Sequence, residues 1–493
     1  MIRSIICSKF IRRAVVRQAV FRAAGFAAVA ILYTAEIAVG QNTFPELDTG
    51  SSVTWNTTLW TLGGLPPQTA TQVGLLRGGG TMTIDDTSTN TTPGGLLIGW
   101  SGNFSVNMTS GTLTVGATAG DGQAAFGLTV GESGTGNFAQ TGGLVTAPLV
   151  NLGRHPSTPG VGTYTLSGGT LATAAILLRG PGSGTFNFNG GTIEVSGTAA
   201  NLIASSITTN VQAGGALIDT NGFNATIASP LAGAGGLTKS GSGTLTLSAA
   251  SSYTGGTTIS GGRLEIAPTG ALAATGTVTI NGLGAELRYN ASSALTAPLT
   301  FTQGTISGTG TIGTAVNVGS GRILSPGNSP GVQAYSSGLT WSPLGTYKWE
   351  INDAAGVAGT NWDLLQVSGS ALDLSGLSSE NRFNLDLTTL TGTAGGQMAN
   401  YVDGQSYTFS LATYASLDLP NSFSGNDLTS LFNPSFSNWQ NPAPSLANVS
   451  IVNDAATSTI NLVIVPEPSA VALLAAAAAA AALPRVRRRT RNA

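Results

Sequence analysis

The stretch that decides the fold runs Gly233-Ala234-Gly235-Gly236-Leu237-Thr238-Lys239-Ser240-Gly241-Ser242-Gly243-Thr244-Leu245-Thr246-Leu247-Ser248. After a short link it continues Tyr253-Thr254-Gly255-Gly256-Thr257-Thr258-Ile259-Ser260-Gly261-Gly262-Arg263-Leu264. Apolar and hydroxylated residues alternate in phrases of three to five, and glycines punctuate them. A period of two with β-branched partners is the pattern of a strand with one buried face. Leu237, Leu245, Leu247, Ile259, Leu264 and Ile266 then face a common interior, and the intervening Thr and Ser face solvent. Glycine at each break supplies a corner with positive φ or a close approach to a neighbouring chain segment.

The same grammar extends upstream. One phrase ends in glycine: Leu97-Ile98-Gly99, Leu113-Thr114-Val115-Gly116, Leu128-Thr129-Val130-Gly131 and Val150-Asn151-Leu152-Gly153. Another sets an aromatic strand before a double glycine, in Gly136–Gly143, Gly162–Gly169 and Gly184–Gly191. A strand, a tight turn and a strand repeating every twenty-odd residues describe one coil of a β-solenoid. Thr and Asn at stacked positions form ladders between coils. An antiparallel sandwich is the alternative for this region.

The segment 233–266 resembles the autotransporter-associated β-strand repeat, also called the passenger-associated transport repeat. The elements that carry the resemblance are Gly236-Leu237-Thr238-Lys239, Gly243-Thr244-Leu245-Thr246-Leu247 and Tyr253-Thr254-Gly255-Gly256-Thr257. The resemblance implies a right-handed parallel β-helix on a bacterial surface. The chain departs from autotransporters in one respect: the segment after this region is poor in the long alternating strands of a membrane barrel.

A pair of Pro-Gly turns in Leu324-Ser325-Pro326-Gly327-Asn328-Ser329-Pro330-Gly331 makes a rigid knuckle. Beyond it the strands lengthen and Trp, Tyr and Asp become commoner, as in Tyr347–Ile351, Leu364–Val367, Phe383–Leu387, Tyr407–Leu411 and Ile460–Ile464. The expected architecture is all-β: a parallel β-helix over 41–334, then a small β-sandwich over 335–464 that caps the solenoid's end.

Both termini read as address labels. Residues 1–40 carry six basic residues up to Arg22, an apolar stretch from Ala23 to Leu32, and Ala38-Val39-Gly40 before an expected signal-peptidase cut between Gly40 and Gln41. Arg12-Arg13 matches twin-arginine export poorly. Residues 465–493 hold Pro466-Glu467-Pro468, 14 uncharged residues from Ala470 to Leu483, and Arg485, Arg487, Arg488, Arg489 and Arg491. This arrangement resembles the PEP-CTERM sorting signal of exported bacterial proteins, which implies an exosortase as processing partner. Two prolines keep the approach to the apolar segment extended. That segment is shorter than the roughly 20 residues of a full span. It therefore reads as a temporary transmembrane sorting helix in the inner membrane, with its arginines on the cytoplasmic side. The expected destination is the outer surface or extracellular matrix of a Gram-negative-type bacterium.

Composition narrows the function. Cys7 is the one cysteine and lies in the signal, so the delivered chain has no disulfide, thiolate metal site or thiol nucleophile. Residues 41–484 hold 9 basic and 21 acidic residues, a balance unsuited to nucleic acid. With His155 the only histidine, paired-imidazole metal sites and catalysis are excluded. Polysaccharide lyases and glycoside hydrolases also use β-helices, and they need carboxylates gathered on one face. Asp85-Asp86 would point to opposite faces if in a strand. Glu350, Asp353 and Asp363 around the loop 352–362 are candidate oxygen ligands for calcium, without a recognised spacing. The reading is a non-enzymatic surface structural or adhesin-like protein, with no catalytic residue, no metal site and no cofactor. Extracellular polysaccharide is its expected contact, and a polysaccharide-degrading enzyme is the alternative.

Overall fold

A computed structural model describes residues 126–465 continuously and, before them, 46–48, 53–54, 74–77, 79–85, 89–92 and 95–117. The signal segment with Gly40 and Gln41, and the segment from Pro466 to the C-terminal arginines, lie outside the described residues. The described residues form strands joined by turns, with short 3-10 turns at Thr429–Leu431 and Leu446–Asn448. Among them no helix is long and apolar enough to cross a membrane. The chain divides into two compact units, residues 1–287 and 288–493.

In the first unit the chain visits three parallel ladders in turn. The first ladder stacks Leu96–Ile98, Leu128–Val130, Leu149–Leu152 and Ala175–Leu177, and continues through Ala225–Ile227 and Thr244–Leu247 to Gly262–Ile266. The second stacks Gly80–Ile84, Asn103–Met108, the first halves of Thr135–Thr146 and Val161–Thr173, then Ser183–Phe188 and Ile207–Val211. The third stacks Thr112–Val115, the second halves of the same two long strands, Thr192–Val195, Ala216–Asp219, Leu237–Ser240 and Thr257–Ile259. One strand per ladder makes a three-sided coil, so the parallel solenoid is the observed architecture of this unit, not the antiparallel sandwich. The phrases ending in glycine separate into two sets. Leu113–Val115 belongs to the third ladder, while the phrases at 97–99, 128–131 and 150–153 belong to the first.

Leu237, Leu245, Leu247, Ile259, Leu264 and Ile266 are all buried, as their alternation requires. The double-glycine corners also stack. Gly169 has φ +70°, and a Cβ there would lie 2.3 Å from the carbonyl oxygen of Gly143, itself at φ +72°. The backbone conformation and the proximity of the next coil each exclude a side chain.

A coiled backbone leaves carbonyls pointing inward at its corners, and interior polar side chains satisfy them. Lys239 follows Leu237 by two residues, so it shares the buried face. Its Nζ donates to the carbonyls of Ser240, Gly241 and Gly261 at 2.7, 2.9 and 3.0 Å. Gln140 donates to Gly143 and Thr170 carbonyls and accepts from the buried Tyr164 hydroxyl.

Between the third-ladder strand Thr112–Val115 and the first-ladder strand Leu128–Val130, the chain brings Phe126 onto the outer side of the first ladder. There Phe126 packs with Leu75, Leu97 and Trp100. Thr129 Oγ1 and Asn151 Nδ2 donate to the Phe126 carbonyl at 2.7 and 2.5 Å. The Arg154 guanidinium lies 4.1 Å from the Phe126 ring centre and pairs with Glu132. This stretch of the first ladder is therefore buried on both faces, whereas the alternation rule alone makes Thr129 and Asn151 solvent-facing.

In the second unit, one parallel ladder runs Leu299–Gly308, Arg322–Pro326, Thr346–Ile351, Phe383–Thr391, Phe432–Asn438. Another runs Thr311–Ile312, Val332–Tyr335, Leu364–Asp373, Tyr407–Asp418. Trp341, Tyr347, Trp349, Phe383 and Phe409 are buried in this unit, with the Trp341 and Phe383 rings stacked at 4.9 Å. The strands after 334 pair mostly in parallel, and Val316–Val318, Leu339–Trp341 and the end of Leu364–Asp373 form a third short ladder. The 334/335 boundary falls inside the strand Val332–Tyr335, whose register continues into Leu364–Asp373. Antiparallel pairing enters chiefly at the end, where Thr459–Ile464 joins Tyr407–Asp418 and Val449–Asp454 closes the hairpin. The knuckle 324–331 turns the chain without ending parallel stacking.

Candidate ligand-contact face

The outer side of the second ladder is a regular surface. Inside it, Phe138, Tyr164 and Phe186 occupy one register and stack, with centroids 4.8 and 5.3 Å apart. Such a column holds successive strands in step and opposes the normal twist of a sheet. Outside it, period-two alternation yields two adjoining columns. One holds Thr81, Ser105, Asn137, Thr163, Thr185 and Thr208; the next holds Thr83, Asn107, Ala139, Thr165, Asn187 and Asn210. All are half-buried or exposed.

Hydrogen bonds run along these columns. Asn187 Nδ2 donates to Thr165 Oγ1 at 3.1 Å, Asn210 Nδ2 to Asn187 Oδ1 at 2.8 Å, and Asn137 Nδ2 to Ser105 Oγ at 3.4 Å. Each link fixes an amide rotamer and leaves further donor and acceptor capacity toward solvent. The second-ladder strands contain no charged residue. Among the described residues, Glu194 beside Asp219 lies on the third ladder and Arg263 and Glu265 on the first, while Asp85, Glu132, Arg154 and Arg179 lie in turns and corners.

The acidic candidates are placed differently. Asp85 is exposed just after Gly80–Ile84, and Asp86 lies outside the described residues. His155 Nδ1 accepts from the backbone N–H groups of Ser157 and Thr158 at 3.3 and 2.9 Å, so it staples its own loop.

In the second unit, Glu350 and Asp363 come together and Asp353 does not join them. Asp363 accepts from the N–H of Gly331 at 2.8 Å and of Glu350 at 3.0 Å. Burial, then the nearby Glu350 carboxylate, push its pKa well above the usual carboxylate range. Glu350 pairs with Lys348 at 2.5 Å and accepts from the Ser329 hydroxyl. Asp353 instead accepts from the Ala355 N–H and Asn400 Nδ2. The pair is buried and tied to backbone, which fastens the knuckle to the neighbouring strand. Among the described residues no group of three or more His, Cys, Asp or Glu is placed to hold a metal ion.

Sequence reasoning missed Lys239 and Gln140 as interior groups and Asn151 as a buried group on the outer side of the first ladder. For Lys239 the signal was available, since it shares the parity of Leu237. No curated protein sequence matches this chain. The family model of the passenger-associated-transport-repeat matches residues 237–266, which places that repeat on the coil segments from Leu237–Ser240 to Gly262–Ile266.

Proposed function

We propose that this protein is an exported, surface- or matrix-displayed β-solenoid with a structural or adhesive role and no catalysis of its own. The observation that carries the reading is the pair of features in the first unit: a passenger-associated-transport-repeat within a parallel solenoid, and a broad hydroxyl- and amide-lined outer face. Such a face suits extracellular polysaccharide, whose hydroxyls exchange hydrogen bonds with Thr, Ser and Asn. The buried acids Glu350 and Asp363 are occupied by backbone and side-chain partners, which supports a structural role for them.

Delivery is assigned to the termini. Residues 1–40 direct export, and Pro466-Glu467-Pro468 with the following apolar and arginine-rich segments is read as a PEP-CTERM-type signal for an exosortase. The apolar segment anchors the chain transiently in the inner membrane. The test is to express the full-length chain with Pro466, Glu467 and Pro468 changed to Ala and to fractionate the cells. Retention in the inner membrane is expected, and unchanged delivery to the surface refutes the sorting reading. Incubating the full-length chain with acidic and neutral polysaccharides tests the absence of catalysis; release of reducing or unsaturated ends overturns it.

A further inference from the structure

We infer that the second-ladder face is the polysaccharide contact and that its ligand is a neutral, linear polysaccharide bound along many weak, repeated positions. The inference rests on the carbohydrate reading above and names the face and the ligand class.

Three observations combine. First, the face repeats in two directions. Thr163, Thr165, Thr185, Asn187, Thr208 and Asn210 form a grid in two columns over three successive coils. Strand geometry sets its spacing at about 4.8 Å between coils and about 6.6 Å along a strand. A grid favours a ligand that also repeats, because each added residue of the polymer meets the same chemistry.

Second, charge is partitioned. The strands of this ladder carry none, whereas Glu194 and Asp219 lie on the third ladder, Arg263 and Glu265 on the first, and Asp85, Glu132 and Arg154 in turns and corners. An anionic polymer gains no ion pair here, and its carboxylates would lose water against hydroxyls and amides that compensate only part of the loss. A neutral polymer gives up only hydroxyl hydration, which Thr, Ser and Asn replace in kind.

Third, the aromatic rings of this ladder are inside. Phe138, Tyr164 and Phe186 are buried, so no ring platform on these columns is available to grip a single sugar. A second copy of the chain fits less well, because stable protein interfaces need a more apolar centre with aromatic anchors. Binding must come from many shallow contacts acting together, so affinity depends on polymer length.

The test uses the full-length chain and two solid probes, microcrystalline cellulose as the neutral polymer and alginate gel as the acidic one. A double variant, Thr163→Glu with Thr185→Glu, puts two carboxylates into one column of the face. A control, Thr226→Glu with Thr246→Glu, puts the same charge into adjacent coils of the first ladder, at half-buried outward positions. Circular dichroism checks that both variants keep their β content. The expected result is retention on cellulose but not alginate, weakened about tenfold or more by the second-ladder variant and little changed by the control. Equal weakening in both variants, or in neither, overturns the assignment of the face while leaving carbohydrate contact intact. Retention on alginate alone overturns the neutral ligand class. Retention on neither probe removes the carbohydrate reading as well.

Discussion

Glu132 and Arg154 occupy equivalent corners of consecutive coils and pair at 2.9 Å, with only 2% and 3% of their side-chain surfaces exposed. The backbone binds the two corners as well, because the N–H of Arg154 donates to Gly131 and that of His155 to Glu132. The guanidinium also covers the Phe126 ring, so the pair seals the small cluster outside the first ladder. Glu132→Gln keeps the shape and removes the counter-charge from a buried cation, at an expected cost of about 3 kcal/mol. Replacing both residues by Leu should cost less than the sum of the two single changes, measured by urea titration. Additive losses would mean that the two do not act as a pair.

Lys239 gives a pH signature. Burial pulls its pKa from 10.5 down to about 8, against the opposing pull of Asp219. Between about pH 8 and 10.5 the unfolded chain binds a proton that the folded chain has released, so stability contributed by this group rises with pH across that window. Below about 8 both states are charged and the cost of the buried cation is constant. Lys239→Met should abolish the rise. It should also lower stability at pH 7 by about 1–3 kcal/mol, since corner carbonyls lose their donor. Unfolding midpoints at pH 7.5 and 9.5 for the two proteins test this; parallel changes with pH would refute it.

Asp363 has the opposite sign. Its carboxyl titrates above the ordinary 3.8, so the folded state holds a proton that the unfolded state loses first. Its contribution therefore falls as pH rises from 3.8 through the raised value. Asp363→Ala should orphan the Gly331 and Glu350 N–H groups, which accounts for about 1–3 kcal/mol each. Faster amide exchange at Gly331 than in the unaltered protein is the local readout. Unchanged protection there would show that the carboxyl does not hold the knuckle.

Gly169→Ala meets both a positive φ and a carbonyl 2.3 Å from the new Cβ. The expected loss is about 2 kcal/mol or more. Gly376 has no atom within 4 Å of an added Cβ, and Gly376→Ala should stay within about 0.5 kcal/mol of the unaltered protein. Thermal unfolding of the two variants decides; equal effects would remove the stacked-corner explanation.

The solenoid was readable because each coil repeats one local rule. Leu237, Leu245 and Leu247 declare their common side by alternation, and Gly143 and Gly169 mark corners whose chemistry is purely local. The covered side of the first ladder was not readable, since Thr129 and Asn151 look like solvent residues until the turn holding Phe126, just before Leu128–Val130, is placed against the ladder's outer side. The parallel continuation past Tyr335 was hidden for a related reason. Longer alternating strands with Trp and Tyr fit either pairing direction, and only the returning chain decides which one forms. As for the outer side of the second ladder, its Thr and Asn content was visible, but the absence of charge from its strands emerges only when the register assigns each residue to a side.

The antiparallel hairpin at the end of the second unit carries a consequence for assembly. A parallel ladder is open-ended, because its last strand offers the next one the same edge that it accepted. Here Tyr407–Asp418 is met by Thr459–Ile464 running the other way, and the companion ladder ends on Phe432–Asn438, which contains Pro434. Neither strand invites another coil in the established direction. Where stacking stops at this end is thus written in the chain rather than left to concentration.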